Sequence, residues 1–473
     1  MSKDPSNQFP DAITKNVVES LAYISSIEQE TDYSIQSAIP VLQGQPAKSY
    51  LEDDKFKLAL WTSHILDQNE RHRLLKSDAT FVCRNNERSL TFDFKSFSHL
   101  SSPLFVDPYR HNFTIKKYQT SRIRHGVHWF RAIIPTSVPQ KPGSHFESNQ
   151  LRIESIVYSA GLVNVKLAGH TFDLFGYSPE KSDKSFLFID CTESLNFHPF
   201  LDAIETITLA YGFVTGYYPR DRRYILASNN SEFTEFSEVL FDTLPKTFPS
   251  EYCVVPTFAM MVYSGSPSHI AFPRSTFECL CEQLLFNRPL TRAIMTLLEG
   301  HTTTIELRAA VYSIALEAIT DIISQENSPS LIPISKKSLA KKLLKELEAT
   351  LMRFKSDISV SGINTLSKKL QVINSPTNKD KLIKPFELYH VVLTADERKA
   401  IERRNDFLHG RFPYDPSDDN QNFQMEQTVL TLLYCTTVLI LKYVGYSGPI
   451  AYFPAFNQIL RRRNVTSPFT KYI

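Results

Sequence analysis

The sequence predicts an α+β protein. A β-rich N-terminal region, for which an antiparallel sandwich is one arrangement, precedes a C-terminal all-α helical bundle. Three observations carry this. Between 81 and 195, short runs rich in β-branched and aromatic residues alternate with turn formers, as antiparallel strands do. From Thr302 onward, apolar residues recur at helical spacing. The chain has 473 residues, 42% of them hydrophobic and 22% charged, which suits two to four packed domains at roughly 150 residues each.

The elements follow in order. Residues 1–80 form a mixed N-terminal segment with helical character near 13–27 and 55–75. In the β-rich domain, 81–195, strands are expected at 89–94, 113–115, 129–134, 151–158 and 186–189. A mixed α/β connecting region, 196–300, opens with a helix at His198-Pro199, where proline suits the first turn, and Gly212 and Gly216 end the helix or permit close packing. It continues with a strand at 223–227 and a helix at 275–285.

The bundle is placed at 301–448. Its first helix covers 306–323 and its second 335–355, with Leu339, Leu343, Leu347 and Leu351 four residues apart. The polar stretch 374–381 reads as a loop within 356–384. A third helix starts at Thr394, where Thr394-Ala395-Asp396-Glu397 matches a capping box, and Gly410 is a natural stop. The last helix covers 423–443; its apolar run, 429–444, falls short of the roughly 20 residues that span a bilayer, so a core helix is expected. Residues 449–473 form a basic C-terminal tail.

Composition excludes several classes. A net charge of +2 gives no global attraction to nucleic acid, so a basic surface must be local. The six cysteines are scattered without a C-x-x-C pair, which argues against structural zinc and a disulfide framework. No secretory leader pattern opens the chain, so a cytoplasmic location with no membrane partner is expected. Phosphate-binding glycine loops, zinc-protease motifs and a nucleophile elbow are missing.

The residues that point to chemistry are Arg404-Asn405-Asp406-Phe407-Leu408-His409, followed by Gly410. They lie at the end of a capped helix, and an apolar helix follows the next loop. The spacing alone is weak, because Arg122 and His128 repeat it inside the β-rich region. In its helical setting the motif resembles that of HEPN-domain ribonucleases, over residues 302–446. That family shares an all-helical bundle and an arginine, a polar residue and a histidine at this spacing.

The resemblance implies metal-independent endoribonuclease chemistry with Arg404, Asn405 and His409 as catalytic residues and no cofactor or metal. Histidine can move a proton at neutral pH, and a planar arginine can stabilise the charge on a pentacoordinate phosphorus. Asn405 and His409 share a helix face as i and i+4. Arg404 lies about 140° from His409 around the axis. The resemblance implies that two motifs pair into one composite cleft, hence a homodimer or higher even oligomer.

It also implies an antiphage or abortive-infection effector, with RNA (tRNA among the candidates) as substrate, residues 1–300 as a sensor, and a phage-derived trigger or an antitoxin as partner. The alternatives are a non-catalytic HEPN module that dimerises or binds a nucleotide or partner, and the toxin of a toxin–antitoxin pair. Arginine and histidine at a helix C-terminus can equally complement its dipole.

Secondary candidates are weighed against plain solvated surface. Arg398, Lys399, Arg403 and Arg411 around the motif, and Arg122 and Arg124 in the β-rich region, are candidate RNA contacts, although Asp396, Glu402 and Asp406 interleave with the first group. The cation–aromatic mixtures at 116–118, 122–130 and 217–224 suit base stacking, and a β surface or solvated loop accounts for them equally. The lysines of 336–345 read as the wet face of a helix, and 461–463 as a charged tail. On the first bundle helix, Glu306, Arg308 and Glu317 are candidate braces for the motif helix.

Overall fold

A computed structural model describes residues 13–37, 40–53, 55–63, 69, 80–86, 89–93, 97–100, 109–120, 126–180, 183–220, 222–244, 252–256, 270–327, 331–411, 413–414, 417–418, 420–461, 463, 465 and 468–473. The fold is α+β, as the sequence predicts, and the chain divides into two compact units. One comprises Met1–Pro249 with Ile270–Leu285; the other comprises Ser250–His269 with Phe286–Ile473.

Among the described residues, the first unit is a large, almost wholly antiparallel sheet with three α-helices. Its strands are β1 (Ile13–Lys15), β2 (Thr31–Ser37), β3 (Pro46–Glu52), β4 (Lys55–Thr62), β5 (Thr80–Arg84), β6 (Ser89–Asp93), β7 (Phe97–Leu100), β8 (Tyr109–Ile115) and β9 (Lys117–Gln119). They continue as β10 (Val127–Thr136), β11 (Asn149–Ile153), β12 (Ile156–Leu167), β13 (His170–Tyr177), β14 (Ser185–Cys191), β15 (Leu195–Asn196), β16 (Arg222–Ser228) and β17 (Phe236–Thr243). The helices are α1 (Val18–Glu28), α2 (Phe197–Thr215) and α3 (Arg274–Phe286).

Pairings run β7-β8-β4-β3-β2-β5-β6-β9-β17-β16 across one half of the sheet. They continue β16-β10-β14-β13-β12-β11-β1, with β15 against one end of β10. Among the described strands, β1 and β11 are the pair that runs parallel.

Alternation along β10 explains its two-sided burial. Ile133 joins the core that α1 fills with Ile24 and Ile27 and that holds Ile35, Phe56, Leu58, Phe113, Phe188, Leu226 and Phe241. On the opposite face Phe130 stacks on Phe200 of α2, ring centres 5.1 Å apart. β14 and β16 are buried at every residue, so neither alternates between apolar and solvated positions. Arg131 also faces α1, fully buried, with both ends of its guanidinium 2.8 Å from the Asp190 carboxylate and Nη1 donating to Ser20. Lys15 reaches Asp173 and Asp190, which face each other across β13 and β14. Two like charges side by side are tolerable because two cations neutralise them.

Two local expectations are corrected. Residues 55–62 are a strand, not a helix: Phe56, Leu58 and Leu60 enter the core at period two. Residues 151–158 are two strands joined by a tight turn, with Glu154 in the left-handed region at φ +51° and Ile153 paired to Ile156. The sheet also runs across residue 80, since β2 pairs with β5.

The second unit holds α4 (Arg288–Gly300), α5 (Ile305–Glu326), α6 (Lys337–Arg353), α7 (Val360–Gln371), α8 (Asn378–Leu388), α9 (Ala395–Leu408), α10 (Gln421–Tyr443) and α11 (Phe453–Leu460). Strands β18 (Pro449–Ala451) and β19 (Thr470–Tyr472) form a small hairpin, so the residues expected as a tail fold back onto the unit. α5 is the hub: α4, α8, α9 and α10 all pack on it. Among the described residues, α10 is the helix long and apolar enough to cross a membrane; 83% of its most apolar window is buried in the fold, as befits a core helix. α6 buries no residue and pairs with α7, leaving Leu339 53% exposed. Within 356–384, where a loop is expected at 374–381 and no helix is named, lie α7, capped by Ser359, and α8, started by a Thr377–Asp380 capping box that falls inside the expected loop.

Candidate active site

The motif helix is set by its own ends. At the start of α9 the Thr394 hydroxyl accepts from the Glu397 N–H, and the Glu397 carboxylate accepts from the Thr394 N–H at 2.8 Å. The other Glu397 oxygen lies 2.6 Å from Lys471 Nζ of β19, with the ammonium 3.6 Å above the Tyr452 ring. At the far end Gly410 takes φ +67°. Its N–H donates to Phe407 at 3.1 Å, and the Arg411 N–H donates to Asp406 at 2.7 Å, the paired bonds of a Schellman closure.

Between these ends Glu397, Ala400, Ile401, Arg404 and Phe407 form the inward stripe. Arg404 therefore points into the bundle. It is 6% exposed, and its Nε lies 3.1 Å from Glu317 Oε1 on α5. Burial pulls the guanidinium below the usual arginine range, and Glu317 works against that shift. Glu317 thus does what the sequence suggested for it, while Glu306 is exposed and Arg308 turns to Tyr252 instead.

Asn405 and His409 lie one turn apart on the exposed side of α9. Among the described residues the His409 imidazole has no hydrogen bond or ion pair, and its backbone is fixed by bonds from its N–H to Asn405 and Asp406. One chain therefore presents the histidine and asparagine outward while holding the arginine inward. The arrangement offers a free proton carrier beside a carboxamide that can orient it or a phosphate oxygen.

Around the motif Arg398, Lys399 and Arg411 are exposed. Arg403 is half-buried with its guanidinium 4.8 Å from the Tyr414 ring, and Glu402 pairs with Lys379 at 2.7 Å. Arg122 and Arg124 lie outside the described residues. Other basic segments are committed elsewhere. Tyr118 is a core residue; Arg223 is buried between Glu205 (2.6 Å) and Asp242 (3.0 Å) in β16; Arg461 binds Glu426, and Arg463 lies 4.2 Å from the Phe423 ring. Among the described residues of 217–224, Tyr218, Pro219, Arg222, Arg223 and Tyr224 are buried rather than part of a solvated loop. Among the described residues no group of three histidine, cysteine or acidic side chains could hold a metal ion.

Sequence reasoning missed Lys471 as the partner of Glu397, because the contact spans 74 positions and no periodicity signals it. It also missed the polar cluster around His301, described below. No family model, curated protein or solved structure matches the chain.

Proposed function

We propose that this protein is a metal-independent endoribonuclease of HEPN type, acting in the cytoplasm as an antiphage or abortive-infection effector. The observation that supports it most is the His409 imidazole, exposed, free of partners among the described residues and one turn from Asn405 at the end of a doubly capped helix. In this reading the RNA 2′-hydroxyl attacks the adjacent phosphorus. A 2′-O–P bond forms as the P–O5′ bond breaks, leaving a 2′,3′-cyclic phosphate and a 5′-hydroxyl. His409 carries one of the two protons moved, Asn405 orients it or a phosphate oxygen, and Arg404 stabilises the charge on the phosphorane.

Two motifs line one composite cleft, in a homodimer or higher even oligomer; Arg404, buried against Glu317 in the single chain, must leave that pair to reach the phosphorane. Arg398, Arg403 and Arg411 track the RNA backbone, with tRNA among the candidate substrates. The sheet unit is the sensor, answering to a phage-derived trigger or released from an antitoxin.

A second reading is favoured by a specific contact. The Arg404–Glu317 pair braces α9 against α5 whether or not the motif is catalytic, as a non-catalytic HEPN module that dimerises or binds a partner would need.

Total RNA from cells expressing wild type, His409→Ala or Arg404→Ala, with and without phage challenge, separates the two. The ribonuclease reading expects cleavage with cyclic phosphate ends, persisting in chelator, in wild type alone. Identical RNA and identical protection in all three would leave only the bracing role.

A further inference from the structure

Where α4 ends and α5 begins, the chain collects polar groups that nothing uses. Both ring nitrogens of His301, the Tyr312 hydroxyl and Arg308 Nε are buried without a hydrogen-bond partner. Their side chains form one cluster. The His301 ring meets Tyr252 edge-on at 5.3 Å and Tyr312 edge-on at 5.8 Å, and the Arg308 guanidinium lies 5.9 Å from the Tyr252 ring centre. Packing holds the cluster tight. A Cβ at Gly300 would sit 2.8 Å from the Tyr312 ring, so the end of α4 presses directly on α5. Phe453 of α11 closes the far side of Tyr252, centres 5.0 Å apart.

Arg308 is the charged member. It donates to the Tyr252 hydroxyl at 3.3 Å and to the carbonyls of His301 (3.0 Å) and Thr303 (3.1 Å), yet among the described residues no carboxylate pairs with it. The N-terminus of α5 lies beside it in sequence, and the N-cap, Thr304, makes no side-chain cap. Several orphaned polar groups in one place call for a missing partner. Water would satisfy the hydroxyl and the ring but leave the guanidinium charge unanswered; an oxyanion answers both. Three separate donor side chains suit a tetrahedral oxyanion better than a two-oxygen carboxylate.

We propose that His301, Arg308 and Tyr312 form a buried binding site for a phosphoryl group, free phosphate or the phosphate of a mononucleotide, with Tyr252 as its wall. Arg308 supplies the charge, and the Tyr312 hydroxyl and a His301 ring nitrogen supply directed hydrogen bonds. Burial, reinforced by Arg308, pushes the His301 imidazole down to about 3, so at neutral pH the ring is an uncharged partner beside a cation. The site is distinct from the α9 motif and does not rest on the ribonuclease reading.

The test is calorimetric titration of the full chain with inorganic phosphate, AMP and adenosine. Wild type binds phosphate or AMP and ignores adenosine; phosphate without AMP identifies the free ion, and AMP without phosphate identifies a nucleotide. Tyr312→Phe and His301→Phe remove groups that have no protein partner, so both variants stay folded and at least as stable without ligand. Each nevertheless binds about ten-fold more weakly, the loss of one charge-assisted hydrogen bond. Arg308→Gln abolishes binding. The proposal is overturned if wild type binds neither probe, if the phenylalanine variants bind as wild type does, or if they unfold, since unfolding would mean that these groups serve the fold.

Discussion

At the level of single residues, exposure separates chemistry from stability. His409 is exposed and among the described residues makes no side-chain hydrogen bond or ion pair, so His409→Ala is expected to leave the urea midpoint unchanged within about 0.5 kcal/mol. RNA cleavage is expected to fall about 10²- to 10⁴-fold, the usual weight of a general acid or base. A parallel loss of stability would make His409 structural. His301 behaves in the opposite way. Its folded value of about 3 lies below the ordinary 6.5, so the unfolded chain takes up a proton that the folded chain refuses. The stability tied to the neutral ring is complete above about pH 6.5 and is lost as pH falls toward 3. Arg308, Tyr252 and Tyr312 are the charged and titratable groups that surround it. Denaturation midpoints between about pH 7 and pH 4 should therefore fall less steeply in His301→Phe than in wild type; equal slopes would rule out the ring as the source. The motif residues were legible because Arg404, Asn405 and His409 stand together in sequence. His301 was not, because its neighbours are assembled from Tyr252 and Tyr312, far apart along the chain.

At the level of elements, legibility tracks local chemistry. The start of α9 at Thr394 and its stop at Gly410 were readable because a capping box and a left-handed glycine act within a few residues. Thr394→Ala and Gly410→Ala should each lower stability by about 1 kcal/mol in chemical denaturation. Cleavage per folded molecule should suffer more in Gly410→Ala, which disturbs the turn carrying His409; equal activity in both variants would show that the Schellman closure does not position the imidazole. Other elements hid their signals. α8 opens inside the polar run 374–381 and carries Pro385 in its interior, so its first turn reads as a loop. β4 alternates Lys55 and Lys57 with the buried Phe56 and Leu58, and only that period of two betrays a strand.

At the level of the whole molecule, the fold class was legible and the topology was not. β10 lies between β14 and β16, and β9 joins β6 to β17; these choices are made by pairings such as Leu240 with Gln119 that no local pattern encodes. Assembly is where the motif's split orientation becomes measurable. If one cleft takes Arg404 from one chain and His409 from its partner, mixing inactive Arg404→Ala with inactive His409→Ala regenerates one intact cleft per mixed dimer. Partial activity should then appear on mixing and be lost on dilution below the assembly threshold. A mixture that stays silent while size measurements show mixed dimers would place both residues of each cleft in the same chain.

The hairpin that carries Lys471 has a further consequence. The first turn of the motif helix leans on a carboxylate 2% exposed whose positive partner, Lys471, is carried by β19. A protease trimming residues 470–473 would strand Glu397 as a buried charge, destabilising the helical unit by about 3 kcal/mol. Such nicked material should lose cleavage with the catalytic segment uncut, and Glu397→Gln, which needs no counter-ion yet keeps the cap, should make the protein tolerant of the same trimming. The last strand would then be a safety catch for the motif helix, set or released by chain cleavage alone.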